Sequence, residues 1–144
     1  MLKKLLSLFV LAALAISVQA EKLWVTDLAA ALKTAKTEKK LVLVDFTGSD
    51  WCPWCIKLHK EVFDKPDFTT YVKSKFVLVE IDFPRKNEQP VDVQKANQAL
   101  SNKYKIEGYP TVLVLDDTGK ELKRLGYQPG GPKPFIEELS KIKK

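Results

Sequence analysis

Only two cysteines, one histidine and one methionine occur in the 144 residues. Small exported domains held together by disulfides carry several cysteine pairs at scattered positions, so two cysteines exclude that kind of framework. The pair stands at Cys52 and Cys55, and a bridge across so short a loop removes little entropy from the unfolded chain. A structural zinc site takes four ligands, and two thiols with one histidine fall short. The chain also has no internal repeat, no low-complexity tract and no interdomain linker. What remains is a small domain whose thiols are gathered in one place.

Long apolar runs are scarce as well. The longest runs from Leu5 to Val18, broken by Ser7 and Ser17 and preceded by Lys3 and Lys4. It is shorter than the roughly 20 residues of a spanning helix. A basic start, a short apolar stretch and the small-residue exit Val18-Gln19-Ala20 read as a signal peptide cleaved after Ala20, in preference to an uncleaved anchor. No cysteine lies beside the cut to carry a lipid. The expected mature chain, residues 21–144, is exported, with the periplasm as the expected compartment, and suffices for one domain with one core. Without Lys3 and Lys4 the formal charge of +6 falls to +4. Lysines bunch only at Lys39-Lys40 and near the C-terminus, a solvated basic surface, and no nucleic-acid partner is expected.

Periodicity orders the rest. Thr26 is placed to cap a helix carrying Leu28, Ala31, Leu32 and Ala35. Leu41 to Phe46 is apolar but for Asp45 and reads as a central strand buried on both faces. A loop follows, then a helix with Cys55, Leu58 and Val62, and Pro66 opens a further short helix. Phe76 to Ile81 is a second buried strand, Asp82 to Pro90 a loop, and Val93 to Tyr104 a helix with Val93, Ala96 and Leu100 on one side. Val112 to Leu115 and Glu121 to Leu125 flank the turn Asp116-Asp117-Thr118-Gly119 as a hairpin. Phe135, Ile136, Leu139 and Ile142 mark a closing helix. Strand–helix–strand segments predict parallel pairing and the hairpin antiparallel pairing, so the fold is α/β, a mixed sheet with helices on both faces. Cys52 then falls just beyond a strand's C-terminal end, where such folds place chemistry.

The segment Trp51-Cys52-Pro53-Trp54-Cys55 suits a helix start, with Cys52 at the N-terminus and Cys55 one turn on. Unpaired N–H groups and the helix dipole lower the pKa of a thiol there, and the thiolate is the attacking species. Asp45 is the one charge in its strand and shares a face with Leu41 and Leu43. Burial raises the pKa of such a carboxyl and fits it to exchange a proton with Cys55. The other arrangement is an acid turned to solvent at the strand end. His59, one turn after Cys55, reads as a residue of a solvated face rather than one that tunes the thiols or binds a metal.

Three features together resemble the thioredoxin superfamily across residues 21–144: the strand ending Val44-Asp45-Phe46, the Trp51–Cys55 segment, and Gly108-Tyr109-Pro110-Thr111 before a strand. Cys55 to Phe68 is similar to an exported branch related to the C-terminal domain of the thiol reductase DsbD. The resemblance implies a thioredoxin-like fold and a protein-disulfide oxidoreductase without a cofactor. Cys52 is then the nucleophile that forms a mixed disulfide and Cys55 the resolving cysteine, with Asp45 the proton-exchanging acid. Tyr109-Pro110 matches the family's cis-proline element, which pairs with substrate. Trp51, Pro53 and Trp54 border the thiols as substrate-contacting or potential-setting residues. Two departures stand out: Lys60 occupies the place of a helix-kinking proline, and the stretch from Asp45 to Cys52 is one residue longer than usual.

The implied partners are proteins with disulfides or thiols. The reductase direction is narrowly favoured over the oxidase, because Trp54 brings no charge to stabilise a thiolate and Thr111 follows the thioredoxin pattern. A reductase outside the cytosol needs an electron source, expected to be a membrane thiol donor, and a monomer is expected. Two other readings remain: a Cu(I)-binding thiol protein, soft ligands suiting a soft metal, and a chaperone-like module binding extended chains at Tyr109-Pro110.

Overall fold

The computed structural model describes residues 22–143; the expected signal peptide lies outside the described residues. The chain runs β1 (Trp24–Val25), α1 (Leu28–Glu38), β2 (Leu41–Thr47), α2 (Pro53–Leu58), a π-helical segment (His59–Phe63), α3 (Pro66–Lys73), β3 (Phe76–Asp82), α4 (Val91–Lys103), β4 (Thr111–Leu115), β5 (Glu121–Leu125) and α5 (Pro132–Ser140). The sheet order is β1-β3-β2-β4-β5. β3 is parallel to both β1 and β2, whereas β4 is antiparallel to β2 and β5. This is the mixed α/β sheet that the sequence pattern predicts.

β2 is buried at every position, as its unbroken apolar run requires of a strand covered on both faces. Leu41 and Leu43 pack with Leu58, Val62 and Phe63 and with Phe68 and Phe135 from α3 and α5. Val42, Val44 and Phe46 pack on the other side with Leu28, Ala31, Ala35 and Tyr104. Alternation therefore sets Asp45 on the face that receives α2. Among the described residues, no helix is long and apolar enough to cross a membrane.

Four local features differ from the sequence pattern. β1 is two residues long, too short for any periodicity. The cap of α1 is Asp27 rather than Thr26, its Oδ1 accepting the Ala30 N–H at 3.0 Å. On α4 the buried positions are Asn97 and Ser101, while Val93 and Leu100 are half-buried and Ala96 exposed. Asn97 is drawn in because its Nδ2 donates to Asp82 O at 3.0 Å, at the end of β3. Finally, the second helix continues past Leu58 as a π segment in which the Asp64 N–H bonds to His59 O at 2.9 Å. The irregularity that proline would have produced at position 60 arises here from a widened turn.

Candidate active site

Cys52 is the N-cap of α2 in extended backbone geometry, and Pro53 fills the first helical position, where its missing N–H costs nothing. Cys52 and Cys55 are joined as a disulfide. Each sulfur also receives a backbone N–H. Cys52 Sγ accepts from Cys55 N at 3.2 Å, and Cys55 Sγ accepts from Gly48 N at 3.5 Å. Such donors favour the thiolate over the thiol when the pair is opened. Cys52 is 4% exposed and Cys55 1%, so an incoming group meets Cys52 first.

The loop before the pair is fastened to the β3–α4 connection. Asp50 accepts N–H bonds from Arg85, Lys86 and Asn87 at 2.9, 2.9 and 2.8 Å. These donors hold its carboxyl below the ordinary range, the Arg85 N–H contributing most. Ser49 donates to the Asp82 carboxylate through both its N–H and its hydroxyl. Trp51 Nε1 donates to Phe83 O at 2.7 Å, and the Arg85 guanidinium lies 3.4 Å above the indole. Tyr109 and Trp51 meet edge to face at 5.9 Å, and Tyr109 also packs on Phe83 at 5.2 Å.

The Tyr109–Pro110 peptide bond is cis. Thr111 pairs with Phe46 across β4 and β2, which puts Pro110 at the end of the sheet from which the Cys52 loop departs. Trp51, Tyr109 and Pro110 are thus brought to one rim. Trp54 belongs to another cluster. It is 54% exposed, tilted against Tyr127 at 5.0 Å, and Lys57 Nζ stands 5.3 Å from both rings. The Tyr127 hydroxyl donates to Glu61 Oε2 at 2.7 Å. Pro53 is exposed beside it.

Asp45 is fully buried, in agreement with its place in the strand alternation. His59 is not on a solvated face. Its Nε2 lies 2.9 Å from Asp45 Oδ2 and 3.8 Å from Glu80 Oε2, and its side chain is 26% exposed. The ring packs edge-on to Phe63 at 4.9 Å and against Trp24 at 5.8 Å. One turn beyond the buried Cys55, His59 lies on the inward side of the helix rather than on the solvated face expected of a lone histidine. The aromatic cover from β1, together with Asp45 and Glu80 facing each other in the β2–β3 register, turns it inward. The part of this signal visible in the sequence is one acid in each of two buried strands, Asp45 and Glu80, with a histidine one turn beyond Cys55; the register that joins them belongs to the fold.

Burial pushes the Asp45 carboxyl upward, and the His59 hydrogen bond and charge only partly offset it. Burial works against a charge on His59 too, but the bond and charge of Asp45, aided by Glu80 and Asp64, outweigh it and raise its pKa. Glu80 is raised by burial, with His59 opposing. The ligand-type atoms of Asp45, His59 and Glu80 lie within 4.8 Å of one another. Nε2 stands at hydrogen-bond distance from Asp45, so the cluster is built around an acid–imidazole pair with Glu80 beside it.

A disulfide closing the first turn of a helix, just past the central strand of a mixed sheet, defines a site for thiol–disulfide exchange. The sequence profile described as Thioredoxin-like domain matches residues 28–142. The chain belongs to this thioredoxin-like family of protein-disulfide oxidoreductases. It is 38% identical over 111 residues to the disulfide bond reductase DsbH of Chlamydia pneumoniae, covering 77% of this chain and 67% of that protein. Over 121 residues it is 31% identical to the thiol:disulfide interchange protein DsbD of Vibrio vulnificus, covering 82% of this chain but only 18% of DsbD. A solved structure of a DsbH oxidoreductase superposes with a TM-score of 0.77 at 37% identity, covering 81% of each chain. The kinship to DsbD read from Cys55 to Phe68 agrees with these matches.

Proposed function

We propose that the protein is an exported reductase of protein disulfides. The observation that carries this reading is Cys52 at the N-cap of α2, its sulfur receiving the Cys55 N–H at 3.2 Å. In the reduced protein that position stabilises a Cys52 thiolate, which attacks a substrate disulfide and forms a mixed disulfide; Cys55 then attacks Cys52 and releases the second substrate thiol. Asp45 takes up the proton of Cys55. Tyr109 and Pro110, with Trp51 on one side and Pro53 and Trp54 on the other, form the rim that a substrate segment meets.

The reductase direction is supported by similarity to a protein named for disulfide bond reduction and by the neutral Pro53-Trp54 pair, which adds no cation to hold the thiolate. Residues 1–20 act as a cleaved signal peptide, and the mature chain is a monomer in the periplasm. Electrons reach it from a membrane thiol donor, a role suggested by its kinship to DsbD. The test is reduction of insulin disulfides by the mature chain with a chemical thiol as donor. Wild type accelerates it and Cys52→Ser abolishes it, whereas undiminished activity in Cys52→Ser would end the reading.

A further inference from the structure

The two oxygens of Asp45 are used differently. Oδ2 is engaged by His59, whereas Oδ1 is buried without a hydrogen-bond partner among the described residues. Leaving a buried acceptor unpaired is costly, and such exceptions call for an explanation, a catalytic role among them. Thr47 Oγ1 is also buried, with no hydrogen-bond partner among the described residues. Two residues on from Asp45, it shares the same face of β2. The next residue, Gly48, donates its N–H to Cys55 Sγ. The unpaired acceptors therefore run along β2 toward the resolving cysteine, and His59, whose backbone N–H is bonded to Cys55 O, closes the other side.

We infer that His59 is a positioning residue for the exchange reaction: as a cation on Asp45 Oδ2 it keeps that carboxylate in place with Oδ1 free to accept the proton of Cys55. The inference rests on the oxidoreductase reading and deepens it. In the mixed disulfide, Cys52 is bonded to a substrate sulfur and Cys55 is a thiol. Cys55 gives its proton to Asp45 Oδ1, and the electron pair left on its sulfur forms the bond to Cys52 Sγ. The bond from Cys52 to the substrate breaks, its electron pair leaves on the substrate sulfur, and that sulfur takes up a proton. The protein dithiol is oxidised to a disulfide and the substrate disulfide is reduced to two thiols.

The surroundings favour a cation at His59. Asp45 faces it from β2, Glu80 from β3 and Asp64 from beyond the π segment, while Lys22 acts on Glu80 and Asp82 opposes ionisation of Asp45. Without the cation, nothing on His59 offsets the burial and the Asp82 charge that oppose ionisation of Asp45. The acid then holds its proton to higher pH, and Cys55 loses its acceptor.

The experiment follows the resolving step in the reduced chain mixed with oxidised glutathione, by tryptophan fluorescence, between about pH 5 and 9. In His59→Gln the acid limb moves up by about one pH unit, which makes the step roughly tenfold slower on that side, and the rates converge at high pH. His59→Lys, a cation throughout, restores the limb, and in an Asp45→Asn background His59→Gln has no further effect. An unmoved limb in His59→Gln, or equal slowing at every pH with or without Asp45, overturns the inference. Should His59→Gln fail to fold, the single histidine is titrated by NMR. It must titrate above the ordinary histidine range and fall in Asp45→Asn; an unchanged value overturns the inference. A wild type that reduces no disulfide defeats the parent reading, whereas normal turnover with an unmoved limb defeats only this one.

Discussion

Gly48 and Trp51 approach so closely that a methyl group on Gly48 would lie 2.5 Å from the indole ring. The ring has little freedom to retreat, since its Nε1 is bonded to Phe83 O and Arg85 covers its face. Gly48→Ala must therefore displace a packed aromatic group, a change that costs about 1–3 kcal/mol. Urea denaturation checks this through a lower midpoint, and an unchanged midpoint would show that the loop adapts freely.

Asp50 gathers three N–H groups of residues 85–87, and its pKa is depressed. A depressed carboxyl stabilises the fold above its unfolded pKa, and the contribution is lost as pH falls through the lower folded value. Asp50→Ala should free the three amides to exchange faster and release Arg85 from Trp51. Hydrogen exchange at Arg85, Lys86 and Asn87 measures the first effect and tryptophan fluorescence the second. The part of the acid sensitivity carried by Asp50 should disappear as well.

The sequence made much of this arrangement legible, and for identifiable reasons. A run such as Leu41 to Phe46 is apolar on both faces only in a covered central strand, so β2 could be read directly, while alternation favours the inward side for Asp45 without fixing it. Cys52-Pro53 carried the helix start, because cap and first-turn proline are local matters. His59 could not be read this way. Its partner comes from β2, its second acid from β3, and its cover from β1, three segments that only the fold assembles. The π segment is equally hidden: nothing in His59 to Phe63 forbids an ordinary helix.

Trp54 keeps more than half its surface in solvent while Tyr127 and Lys57 fix one of its sides. A held, exposed aromatic beside the disulfide suits contact with substrate more than support of the core. Trp54→Ala should raise KM for a protein disulfide about 2–10-fold, as loss of an aromatic contact of roughly 0.5–1.5 kcal/mol implies. kcat and the denaturation midpoint should stay close to wild type. A fall in stability with unchanged KM would make Trp54 a packing residue.

Asp45 carries the opposite signs for stability and reaction. Its folded pKa is raised, mainly by burial, so the folded state binds the proton more tightly than the unfolded one. Stability therefore declines as pH rises from the unfolded value, about 3.9, toward the folded one, and the carboxylate burdens the fold above it. Asp45→Asn should raise the denaturation midpoint at neutral pH and lose that advantage below about pH 4. The same variant should slow resolution by Cys55. Lower stability at neutral pH would mean that the bond to His59 outweighs the burial.

Whether the thiol pair reduces its substrates is decided by the equilibrium potential of Cys52–Cys55 against glutathione, read from tryptophan fluorescence. A value toward the thioredoxin end of the family, about −270 mV, is expected, whereas one near the DsbA end, about −120 mV, would overturn the reductase reading and mark the protein as an oxidant.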